Sequence, residues 1–155
     1  MTPATNIAKK AKIAFQIHSY THDPSNQSYG LEASEKLGLE PERVFKTLIV
    51  TVDTRELVVA IIPVSSMLSM KQIAKAAGGK KAEMAAGADV ERSSGYILGG
   101  VSPLGQKKRL RTFIDSSAEN FTTIYVSAGR RGLEIELSPE DLKTVCSAEF
   151  YDLKA

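Results

Sequence analysis

Cysteine is nearly absent from this chain of 155 residues: Cys146 is the only one. That excludes an internal disulfide and any zinc or iron–sulfur centre built on several thiolates. Tryptophan is missing, and histidine occurs only at His18 and His22. The two histidines straddle an expected strand end beside Pro24, so no His-x-x-x-His zinc helix is credible and no metal is expected. Long apolar runs are lacking too. The longest, Leu57–Val64, is interrupted by Pro63, against the ~20 residues of a membrane helix. The opening MTPATNIAKK has no continuous apolar stretch of the kind a secretory signal carries. The expected location is therefore the cytoplasm, without membrane association. Strong net charge is also missing, since 20 Lys+Arg against 18 Asp+Glu leave +2. Bulk charge thus gives no sign of a protein that coats nucleic acid.

What is present suits a folded domain. Hydrophobic residues make up 43% and charged residues 25%, a composition that can bury a core without metal or disulfide support. No linker, repeat or low-complexity tract divides it, so one domain over 1–155 is expected. Thr2 as N-cap and Pro3 at the first helical position predict a helix ending before Ile13. A strand alternates from Ile13 to Tyr20, and Ser28 begins a helix through Leu37, stopped at Gly38. Loop-like segments are His22–Gln27 and Gly99–Gly105. Val44–Val52 and Leu57–Ile62 read as a hairpin. Ser69–Ala77, Ala88–Ser93 and a segment started by Ser138-Pro139 read as helices. Weaker strands are expected at Tyr96–Leu98, Leu110–Asp115, Thr123–Ser127, Leu133–Leu137 and Glu149–Asp152. Strand pairs interspersed with single helices, without strict βαβ alternation, predict an α+β fold with a mixed, curled sheet.

Two features could carry chemistry. Lys46 interrupts an apolar strand, where an ammonium must reach an edge, pair with a carboxylate, or have its pKa lowered by lost hydration. A lysine at a strand end, wetted at its tip, fits the same spacing. Glycines follow an apolar segment in Gly95–Gly105, where backbone N–H groups can gather on one oxygen; a plain turn fits equally. Familiar nucleophile arrangements are missing. There is no Gly-x-Ser-x-Gly elbow, and Cys146 lies late in its helix, away from the N-terminal position that lowers a thiol pKa. Basic residues gather at Lys107, Lys108, Arg109 and Arg111, with a second cluster at Lys71, Lys75, Lys80 and Lys81 and a pair at Arg130-Arg131. Such patches are compatible with phosphate, and with an ordinary solvated face.

MTPA at Met1–Ala4, FQIHSY at Phe15–Tyr20, HDP at His22–Pro24, VFKTLIV at Val44–Val50, SGYILGGVSPLGQKKR at Ser94–Arg109 and TIYVSAGRRGL at Thr123–Leu133 together resemble the YbaK/EbsC family. The likeness runs from the first residue to about Asp152. It implies a free-standing editing domain related to the insertion domain of bacterial prolyl-tRNA synthetases, with a curled mixed β-sheet flanked by helices.

The implied activity is hydrolysis of the ester in mischarged Cys-tRNA(Pro), with no cofactor and with tRNA and prolyl-tRNA synthetase as partners. The same reaction on Ala-tRNA(Pro), or a non-catalytic tRNA- or synthetase-binding module, are the alternatives. By the resemblance, Lys46 is the essential lysine, Tyr20 and Ser127 are pocket residues, and Gly99 and Gly100 form the loop that cradles substrate. Glu134 is a further implied substrate-binding residue; it stands where close relatives carry aspartate, a change that extends the carboxylate by about 1.5 Å. Ala128 stands where glycine is more usual. Lys107, Lys108, Arg109 and Arg111 are candidates for contact with tRNA. The resemblance implies that the cysteine thiol of the substrate attacks its own ester, giving a thiolactone and freeing the tRNA.

Overall fold

The β-branched hairpin is the spine of the molecule. In the computed structural model, which describes residues 1–26 and 28–155, β2 (Phe45–Val52) and β3 (Glu56–Pro63) pair antiparallel from Phe45↔Pro63 to Val52↔Glu56. Their three-residue turn, Asp53–Arg55, uses positive φ at Asp53 and Thr54, which lets the chain reverse tightly. β4 (Ala82–Met84) pairs antiparallel with the far end of β2. β5 (Arg111–Asp115) and β8 (Glu149–Tyr151) extend the other side in parallel, giving the order β4-β2-β3-β5-β8. A second, antiparallel sheet has the order β1-β7-β6, from β1 (Phe15–Ser19), β6 (Ile124–Arg130) and β7 (Leu133–Leu137).

The expected mixed sheet is thus two ladders, joined among the described residues by one parallel bridge between Val44 and Tyr125. Phe45, Ile49, Val59 and Ile61 face Ile124, Val126, Ile135 and Leu137 across the main core, which α1 (Pro3–Lys10) and α5 (Pro139–Cys146) close with Ala4, Ala8 and Leu142. Val50, Val58, Ala60 and Ile62 pack on the opposite face against Ile73 and Ala74 of α3 (Met70–Ala76). Burial on both faces explains why β3 reads as continuously apolar.

Local signals hold at most helix starts. Thr2 closes a capping box with Thr5, and the Ser69 and Ser138 side chains accept from the amides three residues on. Ser28 occupies the N-cap of α2 (Tyr29–Leu37) but makes no side-chain capping bond. The segment Tyr96–Leu98, expected as a strand, is a turn after α4 (Gly87–Ser94). Gly95 and Gly99 bracket it at φ +81° and +90°, and the Tyr96 hydroxyl donates to Leu104 O at 2.6 Å. That bond folds the loop onto itself, which three apolar residues cannot offset by ladder pairing. β4 escaped the sequence reading because three edge residues carry no periodicity. The last residue of the expected loop His22–Gln27 lies outside the described residues. Among them, no helix is long and apolar enough to cross a membrane.

Candidate active site

A cleft of about 390 Å³ opens where β2 loses its neighbours. On that side β2 pairs with β4 only through Val50–Val52 and meets β6 only at Val44. Ile49 O accepts from Ala85 N on this side, so alternation along the strand turns the Thr47 N–H and C=O the same way, toward the cleft. Thr47 has no partner on this side in either ladder, and its Oγ1 is buried without a hydrogen bond among the described residues. The first turn of α2 forms one rim. The Leu98–Val101 loop and Arg130-Arg131 continue the lining beside it, with Arg131 stacked on Tyr29.

Lys46 lines this cleft half-buried. It enters no ion pair among the described residues, and burial lowers its pKa. An ammonium short of both water and counter-charge gains most from a negative charge that develops beside it.

Glu134 is its acidic counterpart. It sits opposite His18 of β1 on one side and Ser127 of β6 on the other, so the three-stranded sheet presents all three on one face. The residue is 7% exposed and lines the cleft, and its carboxyl has no hydrogen bond or ion pair among the described residues. Burial raises its pKa to about 8. Tyr20 lines the cleft as well; burial, and then Glu134, raise its phenol pKa. The Ser127 Oγ accepts from Gly129 N at 3.1 Å. Ala128 is fully buried, and its carbonyl accepts from Thr2 Oγ1 at 2.5 Å. The positive φ in this bulge falls at Gly129 instead, at +109°.

The two glycines expected to cradle substrate divide their work. Gly99 lines the cleft at φ +90°, a conformation that favours glycine, and its N–H has no acceptor among the described residues. Gly100 lies behind the wall. Its N–H donates to Ile97 O at 2.9 Å, and a Cβ there would come within 2.8 Å of Arg130 Cα. The tight turn consumes the second amide that the sequence assigned to substrate. Val101 also lines the cleft, and its N–H, like that of Gly99, has no acceptor among the described residues.

None of the basic run lines the cleft. Arg111 holds Glu56 through two bonds of 2.8 and 2.9 Å and donates to Ala77 O; Arg109 donates to Ser147 Oγ. The Lys107 and Lys108 amides close the end of α4 on Ser94 and Ser93, with both residues exposed. Arg130 and Arg131 line it instead. The Arg131 guanidinium lies 3.5 Å from the Tyr29 ring centroid and donates to Asn26 O at 2.7 Å. The sequence showed only an arginine pair after a strand, with nothing to link it to Tyr29. Cys146 is remote: its thiol meets Pro103 O, and burial pushes it up to about 12. His18 is bound to Glu136 at 2.9 Å and His22 to Glu32 at 2.6 Å.

The profile of the aminoacyl-tRNA editing domain matches residues 26–145. The chain belongs to this editing-domain family. Members of the family act on aminoacyl-tRNA. The editing domain is 36% identical over 152 residues to EbsC of Enterococcus faecalis, provisionally named a Cys-tRNA(Pro)/Cys-tRNA(Cys) deacylase, covering 98% of this chain and 92% of that one. The fold is shared with hypothetical protein APE2540, with a TM-score of 0.87 at 22% identity over 99% of this chain and all of that one. A protein provisionally assigned as a trans-editing enzyme for prolyl-tRNA synthetase has a TM-score of 0.84 at 18% identity, covering 100% of this chain and 99% of that one.

Proposed function

We propose that this editing domain hydrolyses Cys-tRNA(Pro), using the thiol of the mischarged cysteine as the nucleophile. The observation that carries the reading is a cleft that pairs an uncompensated ammonium and two free amides with no equipped nucleophile. Cys146 is outside it, and Ser127 has no histidine to take its proton, since His18 and His22 are engaged by glutamates. A reaction in which the substrate supplies the attacking group needs only positioning and charge stabilisation from the protein. Lys46 offsets the charge that develops on the ester, while the Gly99 and Val101 amides receive its carbonyl oxygen. Serine and alanine carry no thiol, so chemistry adds discrimination beyond the ~1–3 kcal/mol that size gives between such small groups. Prolyl-tRNA synthetase is the proposed partner that supplies tRNA selectivity, consistent with a net charge of only +2, and the cytoplasm is the proposed location.

A panel of charged tRNAs, run with and without prolyl-tRNA synthetase, tests this directly. Rapid loss of cysteine from tRNA(Pro) is expected. Loss of alanine with cysteine untouched replaces the substrate, and binding without turnover reduces the protein to a docking module. Lys46→Ala is expected to keep its circular dichroism spectrum and lose at least about tenfold in deacylation, roughly 1.4 kcal/mol of barrier. Unchanged activity in that variant removes Lys46 from the mechanism.

A further inference from the structure

Thiol attack on an ester leaves a proton to be moved: the sulfur must lose one and the departing ribose oxygen must gain one. We propose that Glu134 carries that proton, which makes it a catalytic residue of the reaction rather than only part of the pocket wall; the inference rests on the thiol-attack reading above. The geometry is a glutamate that lines the cleft, is more than nine-tenths buried as a residue, and whose carboxyl has no hydrogen bond or ion pair among the described residues. A carboxyl kept for structure is normally hydrogen-bonded when it is buried this deeply.

The step balances. The ionised form of Glu134, a minority at pH 7 for a group raised to about 8, takes the proton from the cysteinyl Sγ as the S–C bond forms at the ester carbonyl. The C–O bond to the ribose then breaks, and the neutral carboxyl returns its proton to the leaving oxygen. The products are the thiolactone and the free ribose hydroxyl, with Glu134 again a carboxylate. A base held at about 8 by burial is well matched to an ordinary thiol near 8.5.

The charged and titratable groups around it are otherwise employed or unsuited. Tyr20 has its pKa raised further above its ordinary value. Lys46, Arg130 and Arg131 are cationic groups suited to receiving negative charge. His18, the register neighbour on β1, is bound to Glu136. Glu32, beyond Tyr20, is saturated by its own partners.

Single-turnover deacylation of Cys-tRNA(Pro), corrected for uncatalysed hydrolysis, is to be measured for wild type, Glu134→Gln and Glu134→Asp, alongside tRNA binding. Glu134→Gln is expected to bind within about twofold of wild type and to lose about 100-fold in rate near pH 7. That deficit should shrink at least about fivefold by roughly pH 9.5, where the thiol ionises unaided and needs no base. Glu134→Asp should recover part of the rate at neutral pH. A Glu134→Gln deficit under about threefold, or one of equal size at both pH values, overturns the inference while leaving the proposed activity intact. A wild type inert toward Cys-tRNA(Pro) overturns the proposed activity, and this inference with it.

Discussion

Glu32 and Glu134 are both buried, at 1% and 7% exposure, yet their environments drive them in opposite directions. Burial alone favours the neutral acid at either site. At Glu32, on α2, it is outweighed. The Asp23 amide donates at 2.8 Å, His22 Nδ1 lies at 2.6 Å and Lys36 Nζ at 3.2 Å, and together they hold the carboxyl at about 2. At Glu134 nothing answers burial, and the group rises to about 8. The number of donors decides the outcome, more than depth does. A saturated carboxylate fixes the chain, here the Tyr20–Asp23 loop against α2. An unsaturated one remains available for a proton or a ligand.

Removing the saturated group should have the largest effect. Glu32→Ala strands the His22 ring and the Asp23 amide and releases Lys36, so urea unfolding at neutral pH should show a loss of about 3 kcal/mol. Glu134→Gln should cost nothing below about pH 4.5 and gain on wild type progressively between about 4.5 and about 8, where only the unfolded wild-type chain has released that proton. Equal losses in the two variants would dissolve the contrast.

The pH dependence sharpens it further. Glu32 ionises more readily folded than unfolded, so its stabilisation is complete above about 4.5 and disappears as pH falls toward about 2. Glu134 has the reverse sign. Between about 4.5 and about 8 the native state keeps a proton that the unfolded chain has released. Stability therefore falls with rising pH, by at most about 1.4 kcal/mol per unit. Unfolding free energies from pH 5 to 8 should converge toward this decline in wild type and flatten in Glu134→Gln. Parallel curves for the two proteins would place the Glu134 carboxyl in ordinary solvent.

Much of the scaffold was legible because its signals are local. The β2–β3 hairpin is written in two β-branched, apolar runs separated by a short polar turn, and α1, α3 and α5 in their N-caps. The division into two sheets is not, since among the described residues it depends on one bridge between Val44 and Tyr125. In the site, the resemblance named Tyr20, Lys46, Gly99, Ser127 and Glu134, and all five line one cleft. Gly100 was assigned a free amide, but the donor is spent inside its own turn, a matter of φ and ψ that residue identity does not reveal. The Arg131–Tyr29 stack joins residues far apart in the chain and leaves no pattern in either segment.

The same division between saturated and available charges runs through the cations, and yields the smallest expected effect. Arg111 is committed to Glu56, whereas Arg130 lines the cleft with no partner among the described residues. A cation that meets a tRNA phosphate releases a counterion, and its removal lowers the salt dependence of binding by about one. Arg130→Ala should therefore flatten the log–log salt slope by about one. Arg111→Ala should leave the slope in place and lower stability by no more than ~1 kcal/mol, as an exposed pair allows. Lys107 and Lys108 are exposed but lie outside the cleft lining, so their double alanine variant separates local contact from general attraction. A slope change larger than that of Arg130→Ala would move the path of the acceptor stem from the arginine rim to the end of α4.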